Sequence, residues 1–95
     1  MLKRGFGLIR EGDSYFKEGE PSAAYQRYME ALKIFPTWFL PNLRLGIVSK
    51  HLGLSGDTIL GYFKRALEFE PENGDALYHL GIYHMEKGDP AGGEG

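Results

Sequence analysis

The chain contains the stretch Tyr28-Met29-Glu30-Ala31-Leu32-Lys33-Ile34-Phe35-Pro36 and repeats its pattern, 35 residues further on, as Phe63-Lys64-Arg65-Ala66-Leu67-Glu68-Phe69-Glu70-Pro71. Each copy has an aromatic residue, then alanine and leucine, then a proline five positions after the alanine. A period in the mid-thirties is typical of stacked helical repeats. The two copies therefore predict a repeat array rather than a single globular layer.

Two sets of glycines recur with the same period, at spacings of 34 and 35 residues: Gly12, Gly46 and Gly81 in one set, and Gly19, Gly53 and Gly88 in the other. The first set falls inside expected helices, where glycine costs about 1 kcal/mol relative to alanine. We expect a neighbouring helix to approach closely at these positions and to compensate for that cost. The second set falls at expected helix ends, where glycine readily adopts left-handed geometry.

Apolar residues at helical spacing, punctuated by glycine and proline, predict an all-α protein of five helices. We expect the helices at about residues 3–18, 21–35, 38–52, 57–70 and 74–87. The expected N-caps are Thr37 for the third helix, Ser55 or Asp57 for the fourth and Asn73 for the fifth. Residues 89–95 are rich in glycine and are predicted to form a disordered tail.

Charge and composition exclude several classes of protein. The net charge is −2, from 11 basic and 13 acidic residues, which argues against nucleic acid as a partner. There is no cysteine, so neither a disulfide framework nor thiolate chemistry is available. The basic N-terminus lacks the apolar centre of a signal peptide, and no apolar run is long enough to span a bilayer. We expect a cytoplasmic protein without membrane insertion.

The repeated residues resemble the tetratricopeptide repeat, a 34-residue helix–turn–helix unit. The resemblance covers residues about 5–88 and rests on these positions: Tyr15, Gly19, Ala24, Tyr28, Ala31, Pro36, Leu77, Leu80 and Gly81. It implies a right-handed superhelical array of antiparallel helix pairs. The domain would span residues 1–88, with repeats at about 5–38, 39–73 and a partial one at 74–88. In this family the first helix of each repeat lines a concave groove that binds peptides or partner proteins, and the array is non-catalytic.

The chain departs from the family pattern at several positions. Asn42 occupies the column of Leu8 and Leu77, and Ser49 occupies the column of Tyr15. One extra residue between Gly53 and Phe63 predicts a longer turn in the second repeat. The third repeat has no second helix in this sequence, so its first helix would expose one flank.

The expected groove is largely apolar. The first helix of each repeat carries a second apolar stripe, although a surface helix needs only one. Nine apolar side chains exposing roughly 50 Å² each would form a patch of about 450 Å², a size that usually signifies a contact. The predicted partner-binding residues are Phe6, Ile9, Arg10, Phe16, Leu40, Leu43, Arg44, Ile47, Tyr78, His79, Ile82 and Met85. The alternative is that self-association, or a missing part of the array, buries this stripe.

Arg10, Arg44 and His79 share one column of the repeat and could form a basic ladder across the groove. Arg10 and His79 have aspartates at helical spacing that could pair with them, whereas Arg44 has none. We therefore expect Arg44 to hold a carboxylate or backbone carbonyls of a ligand, and the alternative is a solvated charge. The lysines and asparagines with which one subclass of the family clamps dicarboxylate tails are absent, so no such clamp is expected.

No pattern of catalytic or cofactor-binding residues is present. His79 and His84 are five residues apart, which places them on different faces of a helix and is unlike a metal site. No nucleophile–base pattern, phosphate-binding loop or dinucleotide fingerprint occurs in its required context. We expect no catalytic residue, metal or cofactor.

Two functions remain compatible with the sequence. The first is a protein-binding adaptor that holds a peptide or helix of a partner protein in an apolar concave groove. The alternative is a structural scaffold that forms a homo-oligomer through its incomplete third repeat. The sequence does not identify the partner.

Overall fold

A computed structural model describes residues 2–87, whose regular structure is entirely α-helical. The helices are α1 (Leu2–Lys17), α2 (Pro21–Ile34), α3 (Phe39–Leu52), α4 (Gly56–Phe69) and α5 (Gly74–Glu86). The all-α fold is confirmed, and each helix end agrees with the sequence prediction to within one residue. The expected tail at residues 89–95 lies outside the described residues, as does Gly88, the third of the glycines expected to end a helix.

A glycine follows the end of the first helix of each complete repeat, as expected: Gly19 after α1 and Gly53 after α3. Gly19 and Gly53 have φ angles of 81° and 72°, in the left-handed region. After α1, the amide of Glu20 donates to the carbonyl of Tyr15 at 2.8 Å, and after α3 the amide of Leu54 donates to the carbonyl of Ser49 at 3.1 Å. These bonds satisfy carbonyls that would otherwise lack partners at the helix ends.

The predicted N-caps are confirmed for α4 and α5 but not for α3. Ser55 Oγ accepts from the amide of Thr58 at 3.2 Å, and Asn73 Oδ1 accepts from the amide of Ala76 at 3.1 Å, so both are N-caps. The predicted cap at Thr37 is wrong, because Trp38 occupies the N-cap position of α3 and makes no side-chain cap bond.

The longer turn expected in the second repeat does not occur. The connections α1–α2 and α3–α4 span residues 18–20 and 53–55 and are equal in length. α3 ends at Leu52, directly before Gly53, whereas α1 ends at Lys17, with Glu18 between it and Gly19. The additional residue after Gly53 therefore leaves the length of the connection unchanged.

The helices pack in succession along the chain. α1 packs on α2, α3 packs on α4, and α2 also contacts α3. Near the start of α1, Gly5 faces Phe35 just beyond the end of α2, and Gly12 farther along faces Tyr28, so the two helices run in opposite directions. α5 packs on α4 and α3, and among residues 2–87 no further helix follows it.

Buried side chains form two core clusters. The first joins α1, α2 and α3 and contains Leu8, Ile9, Ala24, Tyr28, Ala31, Leu45 and Val48. The second joins α3, α4 and α5 and contains Phe39, Leu43, Ile59, Phe63, Ala66, Ala76 and Tyr83. The inner faces of α2 and α4 are therefore formed by Ala24, Tyr28, Ala31, Ile59, Phe63 and Ala66.

The mid-helix glycines of the two complete pairs explain the close packing. A Cβ atom at Gly12 would lie 2.4 Å from the Tyr28 ring, and one at Gly46 would lie 2.8 Å from the Phe63 ring. The close approach expected at these two positions is confirmed. It does not occur at Gly81, where a Cβ atom would meet nothing within 4 Å among the described residues.

α3 is the central helix and is buried on most of its surface. Eight of its residues are buried: Phe39, Pro41, Asn42, Leu43, Leu45, Gly46, Val48 and Ser49. A helix covered by neighbours on several sides needs apolar residues around most of its circumference. The polar side chains of Asn42 and Ser49 are both 0% exposed within this packing.

Trp38 joins three elements at the entry to α3. Its ring lies edge-on to Phe6 of α1 at 5.0 Å and to Phe35, just after α2, at 5.6 Å between ring centroids. Its backbone carbonyl accepts a hydrogen bond from Asn42 Nδ2 at 2.9 Å. Trp38 therefore anchors the packing between the first helix pair and α3.

Candidate partner-binding groove

A cavity of about 510 Å³ lies where α1, α3 and α5 come together, and we call it the groove. It is lined by Asp13, Phe16, Lys17, Tyr28, Arg44, Ile47, Val48 and His79. Arg44, Ile47 and Val48 come from the central helix α3, whereas α5 contributes only His79. The groove thus has an apolar wall of Phe16, Ile47 and Val48 beside a group of polar side chains.

An ion pair fixes the polar side of the groove. Asp13 Oδ1 accepts hydrogen bonds from Arg44 Nε at 2.9 Å and from the Tyr28 hydroxyl at 2.5 Å. The bond joins α1 to α3, so the partner of Arg44 lies on another helix rather than at helical spacing on its own. Among residues 2–87, the two terminal nitrogens of Arg44 have no hydrogen-bond partner. The guanidinium is therefore oriented by the protein while two of its nitrogens stay available.

Tyr28 reaches the groove because Gly12 has no side chain. The Tyr28 ring packs directly over the backbone of Gly12, which places its hydroxyl next to Asp13. Burial, together with the hydrogen bond and the negative charge of Asp13, raises the pKa of Tyr28 above its usual range. Tyr28 therefore acts as a hydrogen-bond donor to Asp13 at neutral pH.

His79 closes the groove from α5. Burial lowers the pKa of His79, and the positive charges of Lys50 and Arg44 lower it further, whereas Asp75 opposes the shift. Lys50 itself pairs with Glu86 at 2.9 Å, which links α3 to α5 at this end. Burial and the two nearby positive charges therefore disfavour the protonated form of His79.

The groove also has a defined wall at the end of α1. The Phe16 ring lies edge-on to His51 of α3 at 4.8 Å between centroids. Lys17 lines the groove beside Phe16 and makes no ion pair within the described part of the chain. The formal charge of the lining is positive, because Lys17 and Arg44 outnumber Asp13, although the whole chain has a net charge of −2.

The structure brings together only part of the predicted site. Phe16, Arg44, Ile47 and His79 line the groove, as the sequence predicted. Ile9 and Leu43 do not, because they are 4% and 2% exposed and belong to the first and second core clusters. The apolar stripe assigned to an open surface at these two positions instead packs the helices of successive pairs together.

The remaining predicted residues lie outside the groove. Phe6 and Arg10 line a separate cavity of about 510 Å³ on α1 together with Lys3 and Gly7, and Leu40 packs partly buried against both core clusters. On α5, Tyr78 and Met85 are exposed and Ile82 is half-buried, and none of the three lines the groove. The basic ladder is therefore incomplete: Arg44 and His79 share the groove, but Arg10 is not part of it.

Sequence reasoning missed the contributions of Lys17, Tyr28 and Val48. The helical periodicity places Tyr28 on the inner face of α2, which is correct for its ring but not for its hydroxyl. The sequence did contain a signal, which is the difference between the two repeats in this column. The second repeat has Phe63, which has no hydroxyl, whereas the first has Tyr28, whose hydroxyl needs a partner. A buried tyrosine hydroxyl usually finds a hydrogen-bond partner, and Asp13 directly follows the receiving glycine.

Two other kinds of site are absent from the described part of the chain. No group of three or more histidine, aspartate or glutamate side chains in residues 2–87 is arranged to hold a metal ion. None of the described helices combines the length and the apolar character that a membrane span requires.

Comparison with known proteins gives no family for the chain. No protein-family model matches the sequence, and no curated protein shows significant similarity to it.

Proposed function

We propose that this protein is a non-catalytic adaptor of the tetratricopeptide-repeat kind, acting in the cytoplasm, which binds a peptide or a helix of a partner protein in the groove. One observation carries the proposal. A cavity of about 510 Å³ combines an apolar wall with an arginine that the protein itself holds in place. Sites that bind small groups or side chains are typically concave and apolar, with a few fixed polar groups that set orientation.

The chemistry of the lining indicates what the ligand presents. The free terminal nitrogens of Arg44 suit a carboxylate or a backbone carbonyl, and charge-assisted hydrogen bonds to a carboxylate are the stronger of the two. Lys17 adds a second positive charge at the same opening. Phe16, Ile47 and Val48 suit an apolar side chain next to that polar group. The preferred ligand is therefore a peptide segment with an apolar side chain close to a carboxylate.

The polar groups of the groove favour binding over catalysis. Asp13 accepts hydrogen bonds from Tyr28 and from Arg44, so its carboxylate is already engaged within the protein. The raised pKa of Tyr28 keeps its phenol protonated. An oriented cation beside apolar contacts is a recognition arrangement rather than a nucleophile with its base.

The test uses two arginines from the same repeat column. Arg44→Gln removes the groove cation, whereas Arg10→Gln removes an exposed arginine outside the groove. Asp13 keeps its bond to Tyr28 in the first variant, and the Asp13–Arg44 pair is partly exposed, so the loss of stability should stay below about 1 kcal/mol. Both variants should therefore remain folded, which circular dichroism checks.

The probe is a pool of labelled peptides of about ten residues, a length that spans about 33 Å when extended. The pool is made with free and with amidated C-termini, and binding is followed by fluorescence anisotropy. We expect peptides with an apolar residue near a carboxylate to bind the parent chain and Arg10→Gln equally, and Arg44→Gln about tenfold or more weakly. Equal losses in both variants, or no binding to the parent chain, would overturn the proposal.

A further inference from the structure

The outward face of α5 differs from the corresponding faces of α1 and α3. Leu77, Tyr78 and Met85 are 49%, 66% and 75% exposed, and Gly81 lies exposed among them. The residues from Ala76 to Met85 include no aspartate, glutamate, lysine or arginine. The opposite face of α5 is already in use, since Ala76 and Tyr83 belong to the second core cluster. α5 therefore has apolar residues on both sides, which is unusual for a helix at a surface.

The two complete helix pairs show what covers this face elsewhere in the molecule. Gly12 receives the ring of Tyr28, and Gly46 receives the ring of Phe63. Gly81 occupies the same repeat column, but nothing in residues 2–87 lies within 4 Å of a Cβ atom built there. The repeat thus defines an empty seat at Gly81 for an aromatic ring from an antiparallel helix.

The helix that fills such a seat has its own pattern. In α2, Tyr28 lies between two small residues, Ala24 four positions before it and Ala31 three positions after it, and both are 0% exposed. The small residues let the helix axes approach closely while the ring packs on the glycine. α5 carries the same spacing, because Tyr78 lies between Gly74 and Gly81. One helix therefore contains both the seat and a ring of the kind that fills it.

We propose that two copies of this chain associate through α5, antiparallel and related by a two-fold axis, with Tyr78 of each copy over Gly81 of the other. A two-fold interface places the same patch on both partners, so a patch that contains ring and seat together complements itself. The rings that pack on Gly12 and Gly46, Tyr28 and Phe63, are each 1% exposed and are not accessible to a second copy while the chain stays folded. No like charges oppose each other along the Ala76–Met85 stripe.

The size of the contact predicts its strength. α5 has 13 residues and is about 20 Å long, so a single helix pair buries less than the roughly 1,200–2,000 Å² of a standard interface. The dimer should therefore form in the micromolar range or above rather than at nanomolar concentrations. This association goes beyond the proposed binding function and does not depend on it, because α5 contributes only His79 to the groove.

The experiment is sedimentation equilibrium of the full 95-residue chain over about 1–500 µM, with Gly81→Ala as the main variant. Alanine at 81 meets no atom of the described chain, so the free monomer keeps its fold and its helix is strengthened. Gly61→Ala is the matched control, since Gly61 is exposed in α4 and equally uncrowded. Tyr78→Ser removes the ring instead of blocking its seat.

We expect the parent chain and Gly61→Ala to dimerise alike. Gly81→Ala and Tyr78→Ser should weaken the dimer about tenfold or more, the effect of placing a methyl group against a packed ring or of deleting the ring. A parent chain that stays monomeric throughout would overturn the proposal, as would a dimer that Gly81→Ala leaves unchanged. The parent chain could instead stay monomeric, bind a synthetic peptide of residues 56–70, and lose that binding in Gly81→Ala. This result would overturn the proposed dimer and show that the surface at Gly81 accepts a different helix.

Discussion

Replacing Gly12 by alanine should destabilise the protein, although alanine is the better helix former. Gly12 is buried in α1, and the nearest atoms to a Cβ built there are ring carbons of Tyr28 at 2.4, 2.8 and 2.9 Å. Tyr28 is 1% exposed, so its ring is enclosed and cannot swing away into solvent. Alanine can therefore be accommodated only if α1 and α2 separate or the ring leaves its position.

The change in the free energy of unfolding follows from one stabilising and two destabilising effects. Alanine gains about 1 kcal/mol of helix propensity over glycine. Overpacking a methyl group into an ordered core costs about 1–3 kcal/mol. Moving the ring also strains the hydrogen bond from the Tyr28 hydroxyl to Asp13, which contributes about 1–2 kcal/mol because the acceptor is charged. The net loss should be about 2 kcal/mol in the free energy of unfolding.

Gly61→Ala provides the control, because the same substitution in an exposed and uncrowded helix site should stabilise by about 0.5–1 kcal/mol. Urea unfolding followed by circular dichroism measures both variants against the parent chain. For a domain of this size, a loss of about 2 kcal/mol lowers Tm by about 8–16 °C. If Gly12→Ala is as stable as Gly61→Ala, the close packing of α1 on α2 is wrong.

Two further predictions concern buried polar groups and pH. Ser49 is 0% exposed and its Oγ has no hydrogen-bond partner within the described residues, so Ser49→Ala should stabilise by about 1 kcal/mol in the same urea assay; a loss of stability would show that the hydroxyl is satisfied. Because burial and nearby cations lower the pKa of His79, the folded chain binds fewer protons than the unfolded chain just below pH 6.5 or so. Stability should therefore fall as the pH falls from about 6.5 towards the lowered pKa of His79, and His79→Asn should reduce this dependence. An unchanged pH profile in His79→Asn would contradict the environment assigned to the imidazole.

Local sequence signals predicted the helices well, because they act within one or two turns. Gly19 and Gly53 end helices through left-handed backbone geometry, and Ser55 and Asn73 begin them through side-chain caps. Thr37 failed as a cap because the aromatic packing of Trp38 on Phe6 and Phe35 fixes where α3 begins. Tertiary contacts overrode the local preference at this one start.

The groove was harder to predict because it depends on contacts between helices that are distant in sequence. Asp13 could pair with Arg10 at helical spacing, yet it pairs with Arg44, which packing brings alongside it. Ile9 and Leu43 have the spacing of an exposed second stripe, but Ile9 is buried in the core cluster that joins α1 to α2 and α3, and Leu43 in the one that joins α3 to α4 and α5. The periodicity shows how many faces are apolar and does not show which of them remain open.

The repeat also sets how the groove is assembled. Gly12 allows Tyr28 of the second helix to cross under α1, and the hydroxyl then positions Asp13, which in turn positions Arg44. The second pair has Phe63 in place of Tyr28, and α3 has Ile47 in the column of Asp13, so the equivalent polar chain is absent there. The array therefore has its oriented cation between α1 and α3, next to the apolar wall.

Binding in the groove can be observed residue by residue in a two-dimensional ¹H–¹⁵N NMR titration of the parent chain with the peptide selected by anisotropy. The titration is performed at low protein concentration, where association through α5 is minor. We predict that the largest shift changes map to the groove, at Phe16, Arg44, Ile47 and His79, and that they diminish in Arg44→Gln but not in Arg10→Gln. Shift changes confined to the faces of α2 and α4 away from the groove, or to Leu77, Tyr78 and Met85 on α5, would contradict the groove as the binding surface.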